Sequence, residues 1–222
     1  MTNRTLAEAI IAAHSADGVA PGAICQVKVD FAFANDITGP PAVDEFKKMG
    51  GKRLFDPRRC AIVLDHFAPN KDIASAEQSK KARVFAREQG MLFWEVGRVG
   101  VEHAFLPESG LTLPGDIIIG ADSHTCTYGA LGALGTGVGQ TDLAAVWALG
   151  ETWLRVPETI KAVFRGKPSR WIGGKDMIIS LIGKIGVEGA RYKSIEFHGE
   201  AIGELSMDDR FTMANMAIEA GG

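Results

Sequence analysis

The amino-acid sequence predicts an α/β fold of the three-layer α/β/α kind, a mainly parallel sheet covered by helices on both faces. Three observations carry that expectation. Apolar runs at residues 60–64 and 117–119 read as strands buried on both faces. Helical patterns alternate with them, most clearly over residues 75–89. Polar residues follow directly on the strands, Asp65-His66 after the first and Asp122-Ser123-His124 after the second. In open α/β sheets ligands bind beyond such carboxyl ends.

Taken in order, Thr5 and Glu8 have capping-box spacing, and Leu6, Ile10, Ile11 and His14 fall on one face of a first helix that the stretch from Gly18 to Gly22 ends. Residues 24–29 alternate and read as a strand delivering Asp30, Asn35 and Asp36 to the loop beyond. Pro41 suits the first turn of a helix over 42–49, whose Asp44-Glu45 start and Lys47-Lys48 end complement the helix dipole. In the helix over 75–89, Ala76, Ala82, Phe85 and Ala86 point toward the sheet, Lys80, Lys81, Arg83 and Arg87 point outward, and Gly90 is the C-cap. A strand over 91–96 follows, and then His103 on a loop before Leu106-Pro107.

After the strand at 117–119, Gly129, Gly132, Gly135, Gly137 and Gly139 allow positive φ or close approach of the backbone to a ligand, and a helix is predicted over 141–154. Strand end, polar turn and helix N-terminus together predict an anion pocket. Further on come a strand at 159–164, a helix within 174–186 carrying Met177, Ile178, Ile179, Leu181 and Ile182, and a strand at 194–197, with the stretch from Arg165 to Arg170 a solvated turn. Ser206 and Asp209 cap a last helix that puts Asn215 and Glu219 one turn apart on one face. The organisation is an α/β domain over 1–155 and a continuation over 156–222 that begins a further domain.

A chain of 222 residues with 46% hydrophobic residues and 27 glycines suits a packed core with many tight turns. Its net charge of -3 presents no basic face to nucleic acid, and no apolar run approaches the ~20 residues of a membrane span. The N-terminus lacks the apolar core of a signal peptide, and three unpaired cysteines suit a reducing compartment, so the expected location is cytoplasmic.

Several chemistries can be set aside. The glycines lack the Lys-Ser/Thr ending of a P-loop and miss the dinucleotide spacing. Asp122, Ser123 and His124 are adjacent and cannot turn toward one another as a hydrolase triad, and no nucleophile elbow surrounds Ser123. A lone Asp-Ser-His-Thr is as often a locally satisfied turn. The placement of His66, His103 and His124 near strand ends predicts one shared cleft.

Asn35-Asp36-Ile37-Thr38-Gly39, Asp65-His66, Gly100-Val101-Glu102-His103, the stretch Gly120-Ala-Asp-Ser-His-Thr-Cys-Thr-Tyr-Gly129 and Asn215-Met216-Ala217-Ile218-Glu219, in this order, resemble the aconitase family over nearly the whole chain. The resemblance implies the family's iron–sulfur domain fold, truncated, and a hydro-lyase of its amino-acid-biosynthetic branch that removes water from a 2-hydroxy dicarboxylate and adds it back in the other regiochemistry. Leucine biosynthesis is the first expectation and the lysine pathway the second. Carried over residue by residue, it implies catalytic roles for Asp65, His66, His103, Asp122, Ser123, His124 and Glu219, with the pairs Asp65 and His66, Asp122 and His103, Glu219 and His124. Asn35, Asp36 and Asn215 are implied to lie near substrate or cluster.

The resemblance also implies a 4Fe-4S cluster in the full-length enzyme. The family's ligands are one cysteine and a later Cys-x-x-Cys, a spacing that Cys25, Cys60 and Cys126 do not show. Cys25 and Cys60 are expected side by side in the sheet interior and Cys126 near the site, so no metal ligand and no bound cluster are assigned to this chain. It reads as the N-terminal part of a longer enzyme, inactive alone. The implied partner is a small subunit carrying the family's swivelling domain. The alternative from another class is a module that binds a dicarboxylate or a partner subunit without chemistry.

Overall fold

The computed structural model describes residues 4–222. Helix α1 (Leu6–His14) opens on the expected capping box, Thr5 and Glu8 each accepting the other's main-chain N–H. It stops at His14, before Gly18, and buries Ala7, Ile10 and Ile11 while Leu6 is half exposed.

Strand β1 (Ile24–Lys28) alternates exposed and buried residues but does not join the main sheet. It forms an antiparallel ribbon with β7 (Glu151–Arg155), Cys25 opposite Leu154. The residues read as a loop beyond it are instead β2 (Phe31–Asn35), buried throughout. The physical reason is two patterns in tandem: alternation makes a half-solvated ribbon strand, and unbroken Phe31-Ala32-Phe33-Ala34 makes a strand covered on both faces. Val29 and Asp30 carry the chain from one sheet to the other, Val29 N–H bonding to Gly150 O and Asp30 N–H to Ile117 O.

The main sheet contains β2, β3 (Cys60–Val63), β4 (Leu92–Trp94), β5 (Ile117–Gly120) and β6 (Leu134–Gly137), all parallel in the order β4-β3-β2-β5-β6. One face, with Ala32, Ala34, Cys60, Ile62, Ile117 and Ile119, packs under Phe46, Phe85 and Trp147. Those three side chains come from α2 (Gly39–Lys48), α3 (Ile73–Gln89) and α5 (Gln140–Leu149). The other face, with Phe31, Phe33, Ala61, Val63 and Ile118, packs against Leu106 of α4 (Glu102–Glu108) and Tyr128 of the 3-10 segment Ser123–Leu131. The layers are α/β/α. Direction of winding reverses between β2 and β5, the switch point at which such sheets bind ligands.

Several element limits differ from expectation. Helix α2 starts at Gly39, with both Pro40 and Pro41 in its first turn, so Asp44 and Glu45 fall mid-helix. Helix α3 buries Ser75, Ser79, Ala82 and Ala86, one stripe at helical spacing, and leaves Ala76 in solvent. Gly90 closes it at φ 68° as a left-handed C-cap. His103 sits in the first turn of α4, not on a loop, and Pro107 falls near that helix's end. Helix α5 ends at Leu149 because Gly150 turns left-handed (φ 73°), and residues up to Arg155 return as β7. Cys25 lies in the ribbon and Cys60 in the main sheet, so they are not sheet neighbours.

The glycine tail also has a different use. A Cβ on Gly135 would lie 2.2 Å from Thr125 O, and one on Gly137 2.5 Å from Asp122 O. Glycine there lets the 3-10 segment lie flat against edge strand β6. Close approach is real, but the thing approached is the protein's own backbone, and of the five glycines only Gly132 has positive φ. The predicted anion pocket at a helix N-terminus is replaced by this stacked segment.

Strands β8 (Glu158–Val163) and β9 (Lys193–His198) pair in parallel, joined by α6 (Gly174–Ile185). With α7 (Glu200–Gly203) and α8 (Met207–Asn215) they enclose a smaller core of Met177, Ile178, Ala201, Leu205 and Met213, while Ile179 is exposed. Asp209 Oδ1 accepts Gly174 N–H at 2.8 Å, stitching the start of α6 to α8. Glu219 lies in a 3-10 turn, Met216–Ala220, that continues from α8. No helix among the described residues is long and apolar enough to cross a membrane.

Candidate active site

The strand ends at the β2/β5 switch point carry a continuous network. Its hub is Asp122, which follows β5 and caps the 3-10 segment, Oδ1 accepting His124 N–H at 2.8 Å. The same oxygen accepts His103 Nε2–H at 3.1 Å, and Oδ2 accepts Asn35 Nδ2–H at 3.3 Å and lies 3.7 Å from His66 Nε2. The imidazole of His103, foremost among these partners, holds the Asp122 carboxyl well below the usual carboxylate range.

His66 follows β3 and donates Nδ1–H to Asp65 Oδ1 at 2.6 Å. That bond fixes the ring's orientation and pushes its pKa up to about 9, against the opposing effect of burial. Nε2 lies 3.7 Å from Asp122 Oδ2, and a third of the side chain is exposed (34%). Asp65 Oδ2 accepts Glu102 N–H at 2.7 Å, tying this pair to α4. His103, at 11% exposure, is wedged edge-on between Phe33 and Tyr128, and its Nδ1 has no partner.

His124 is reached from the other side. Its ring centroid is 6.2 Å from that of His103, Nδ1 is 3.4 Å from Ser123 Oγ, and Nε2 is 3.8 Å from Glu219 Oε1. The last distance exceeds a direct hydrogen bond. Asn215 is bonded to the 3-10 segment. Its Nδ2–H donates to Thr127 Oγ1 at 2.9 Å and its carbonyl accepts the Cys126 thiol at 3.4 Å, which bolts α8 to the 3-10 segment.

All seven residues expected to be catalytic are thus brought together, in the three expected carboxylate–imidazole pairs. Asn35 and Asp36 lie beneath the network, Asn35 bonded directly to Asp122. Both are buried (1% and 0% exposed), because β2 is central and its end lies beneath the site. Asn35 Oδ1 accepts Ile37 N–H, Thr38 N–H and the Thr38 hydroxyl, each at 3.0 Å, while Asp36 accepts the main-chain N–H of His66 (3.0 Å) and Phe67 (2.7 Å). They brace the loops after β2 and β3 from behind.

Glu102 was missed. On a stretch read as a loop, an acid just before a histidine reads as solvent-exposed, and nothing in its neighbours signals burial. In the structure it has no exposure at all, Oε1 accepts Asn35 Nδ2–H at 3.1 Å, and Oε2 has no partner. Burial, with Asp65 next in order, pushes its carboxyl up to about 8.

The cysteines do not form a ligand set for an iron–sulfur cluster. Cys25 and Cys60 are fully buried on different sheets, burial pushing the Cys60 thiol far above its usual range. Cys126 is pushed up to about 11 by burial and donates to Asn215 O. A cluster needs thiolates converging on its irons. A cleft of ≈ 1240 Å³ lies between β6, the ribbon, β9 and α8, and touches the network at Ser123 and Cys126.

A family model described as "Aconitase family (aconitate hydratase)" matches residues 8–222. The 3-isopropylmalate dehydratase large subunit of Moorella thermoacetica is 61% identical over 220 residues, 98% of this chain and 52% of that protein. The large subunit from Acetivibrio thermocellus is 59% identical over 219 residues, covering 98% and 52%. Large subunit 1 of Pyrococcus furiosus is 60% identical over 223 residues, covering 100% and 53%. The chain spans about half the length of the curated relatives it matches.

Proposed function

The chain belongs to the aconitase family, and from that membership we propose that it supplies acid–base machinery of a 3-isopropylmalate dehydratase large subunit, acting in leucine biosynthesis. The observation that carries this reading is the convergence of Asp65 with His66, Asp122 with His103 and Glu219 with His124 at the switch point of one sheet.

Dehydrating a 2-hydroxy dicarboxylate requires a proton for the departing hydroxyl and removal of a proton from the neighbouring carbon. His66 suits the first task. Its Nδ1 is committed to Asp65, and with a pKa of about 9 the ring carries a second proton on Nε2 at neutral pH. Asp122 and His103 hold the floor of the site in register, and His124, between Ser123 and Glu219, offers a second imidazole to substrate. The carbon-bound proton falls to a base on the partner, a small subunit with the family's swivelling domain and its carboxylate-binding arginines. The family implies a 4Fe-4S cluster in the full enzyme, whose thiolates are not Cys25, Cys60 or Cys126. The assembled protein is taken to be cytoplasmic.

The test is turnover by the intact, cluster-loaded enzyme with its small subunit, followed by ultraviolet absorbance of the unsaturated dehydration product. His66→Ala should lower kcat ~100- to 10,000-fold with a much smaller change in KM. Turnover within about threefold of the parent would remove His66 from the mechanism.

A further inference from the structure

The network around Asp122 contains four carboxyl groups, Asp36, Asp65, Glu102 and Asp122, and three imidazoles, His66, His103 and His124. Even with all three imidazoles protonated, four ionised carboxylates leave one negative charge uncompensated. Where it would fall can be read from the contacts. Asp36 takes two main-chain donors, His66 N–H and Phe67 N–H. Asp65 has a 2.6 Å bond from an imidazole and another from the Glu102 main chain. Asp122 has a 3.1 Å bond from an imidazole, a main-chain donor and the Asn35 amide. Glu102 is entirely buried, takes one amide bond from Asn35, lies 3.8 Å from His103 Nε2, and has Oε2 without any partner. An ionised carboxylate in that position lacks the donors that offset desolvation, whereas a neutral acid needs far less.

We propose that Glu102 is kept as a neutral carboxylic acid at neutral pH and acts as a positioning residue for both carboxylate–imidazole pairs. Oε1 orients the Asn35 amide, which reaches on to Asp122 Oδ2, and the main-chain N–H of Glu102 orients Asp65 toward His66. The raised carboxyl, about 8, agrees with this geometry. The groups facing Glu102 are Asp65 and His66 beyond β3, Asn35 at the end of β2, Asp122 beyond β5, Tyr128 of the 3-10 segment and His103 on its own helix. One ligand-type atom each of His66, Glu102 and Asp122 lie within 4.8 Å of one another. Ionisation of Glu102 therefore adds a charge beside His66, which then holds its proton more tightly and is a poorer donor. Glu102, with no exposed surface, acts through the groups around it. It sets the alkaline limit of those pairs.

The inference rests on the acid–base reading of this site, but its test does not need turnover. The chain is labelled with ¹³C-glutamate for infrared spectroscopy and with ring-labelled histidine for NMR titration, in the parent and in Glu102→Gln. The parent should show a glutamate-derived neutral carboxylic acid C=O band at pH 7 that disappears by pH 10. Glu102→Gln should lack the band, and its His66 midpoint should fall by about 0.5 pH unit or more, as loss of one nearby charge requires. Absence of the band in the parent, its persistence in Glu102→Gln, or an unchanged His66 midpoint overturns the proposal. If Glu102→Gln does not fold, the parent's labelled band decides alone: present at pH 7 and lost by pH 10 supports it, absent overturns it. If the band and the shift are found in a protein that turns over no 3-isopropylmalate, the proposed function fails and the assignment of Glu102 stands.

Discussion

Replacing Asn35 with alanine removes five hydrogen bonds from one buried side chain. Three of them, from Ile37 N–H, Thr38 N–H and the Thr38 hydroxyl, end on Oδ1, and two run from Nδ2 to Glu102 and Asp122. The three donors converging on one atom also establish which end of the amide is oxygen. A net ~1 kcal/mol per bond, with a discount for the Ile37 amide, whose exposed residue can turn to water, gives a loss of about 3 to 5 kcal/mol. For a chain of this length ~1 kcal/mol shifts Tm by about 2–4 °C, so Asn35→Ala should melt about 6 to 20 °C lower. Circular-dichroism melts at pH 5 and pH 8 measure it. Asn35→Asp separates the two halves of the effect, because it keeps the acceptor of the turn and turns a donor into a third acid facing Glu102 and Asp122. Its deficit should be small at pH 5, where a carboxyl can carry a proton, and large at pH 8. A loss under ~1 kcal/mol in Asn35→Ala would refute the claim that this amide joins the strand ends.

Gly135→Ala should cost about 1–3 kcal/mol in urea unfolding, because its Cβ meets the main-chain oxygen of Thr125, which no rotamer change can move away. Gly129→Ala, with nothing within 4 Å of its Cβ, should stay within ~0.5 kcal/mol, and equal costs at the two positions would dismiss the stacking argument. His66 has a second consequence for stability. Its folded-state pKa, about 9, lies above its ordinary 6.5, so the folded chain binds this proton more tightly than the unfolded chain. That contribution is complete below pH 6.5 and is lost as the pH rises through 9. His66→Gln should flatten the fall of Tm between those values, and a slope identical to the parent's would show that the Asp65 bond does not bind the proton in this way.

Much of the framework is legible in the residues themselves. Apolar runs at 60–64 and 117–119 mark central strands, their polar successors mark the working end of the sheet, and Thr5, Gly90 and Ser206 each do the local job their type suits. What escaped has identifiable causes. Strand β2 follows β1 after two residues with no glycine or proline between, so the change of sheet leaves no punctuation. Strand β6 is Leu-Gly-Thr-Gly, almost without β-propensity, and is a strand because backbone stacks on it. The site followed from the order of its motifs, while the roles of Asn35, Asp36 and Glu102 depended on depth beneath the surface. Depth is a tertiary property that a charged letter in a sequence conceals.

The two-residue step at Val29 and Asp30 gives this architecture a rule of parity. Side chains along a strand change face at every residue, so the spacing between ribbon and sheet determines which of the two cores Phe31 and Phe33 enter and on which side Asn35 arrives. Adding a single residue to the step would exchange odd and even positions along β2, sending the phenylalanines toward the layer of Phe46 and Trp147 and turning the Asn35 amide from Glu102 and Asp122. Adding two would restore the assignment. By this rule insertions at the step should be accepted in pairs, and the wiring of the acid–base network should depend on whether the count between two strands is odd or even.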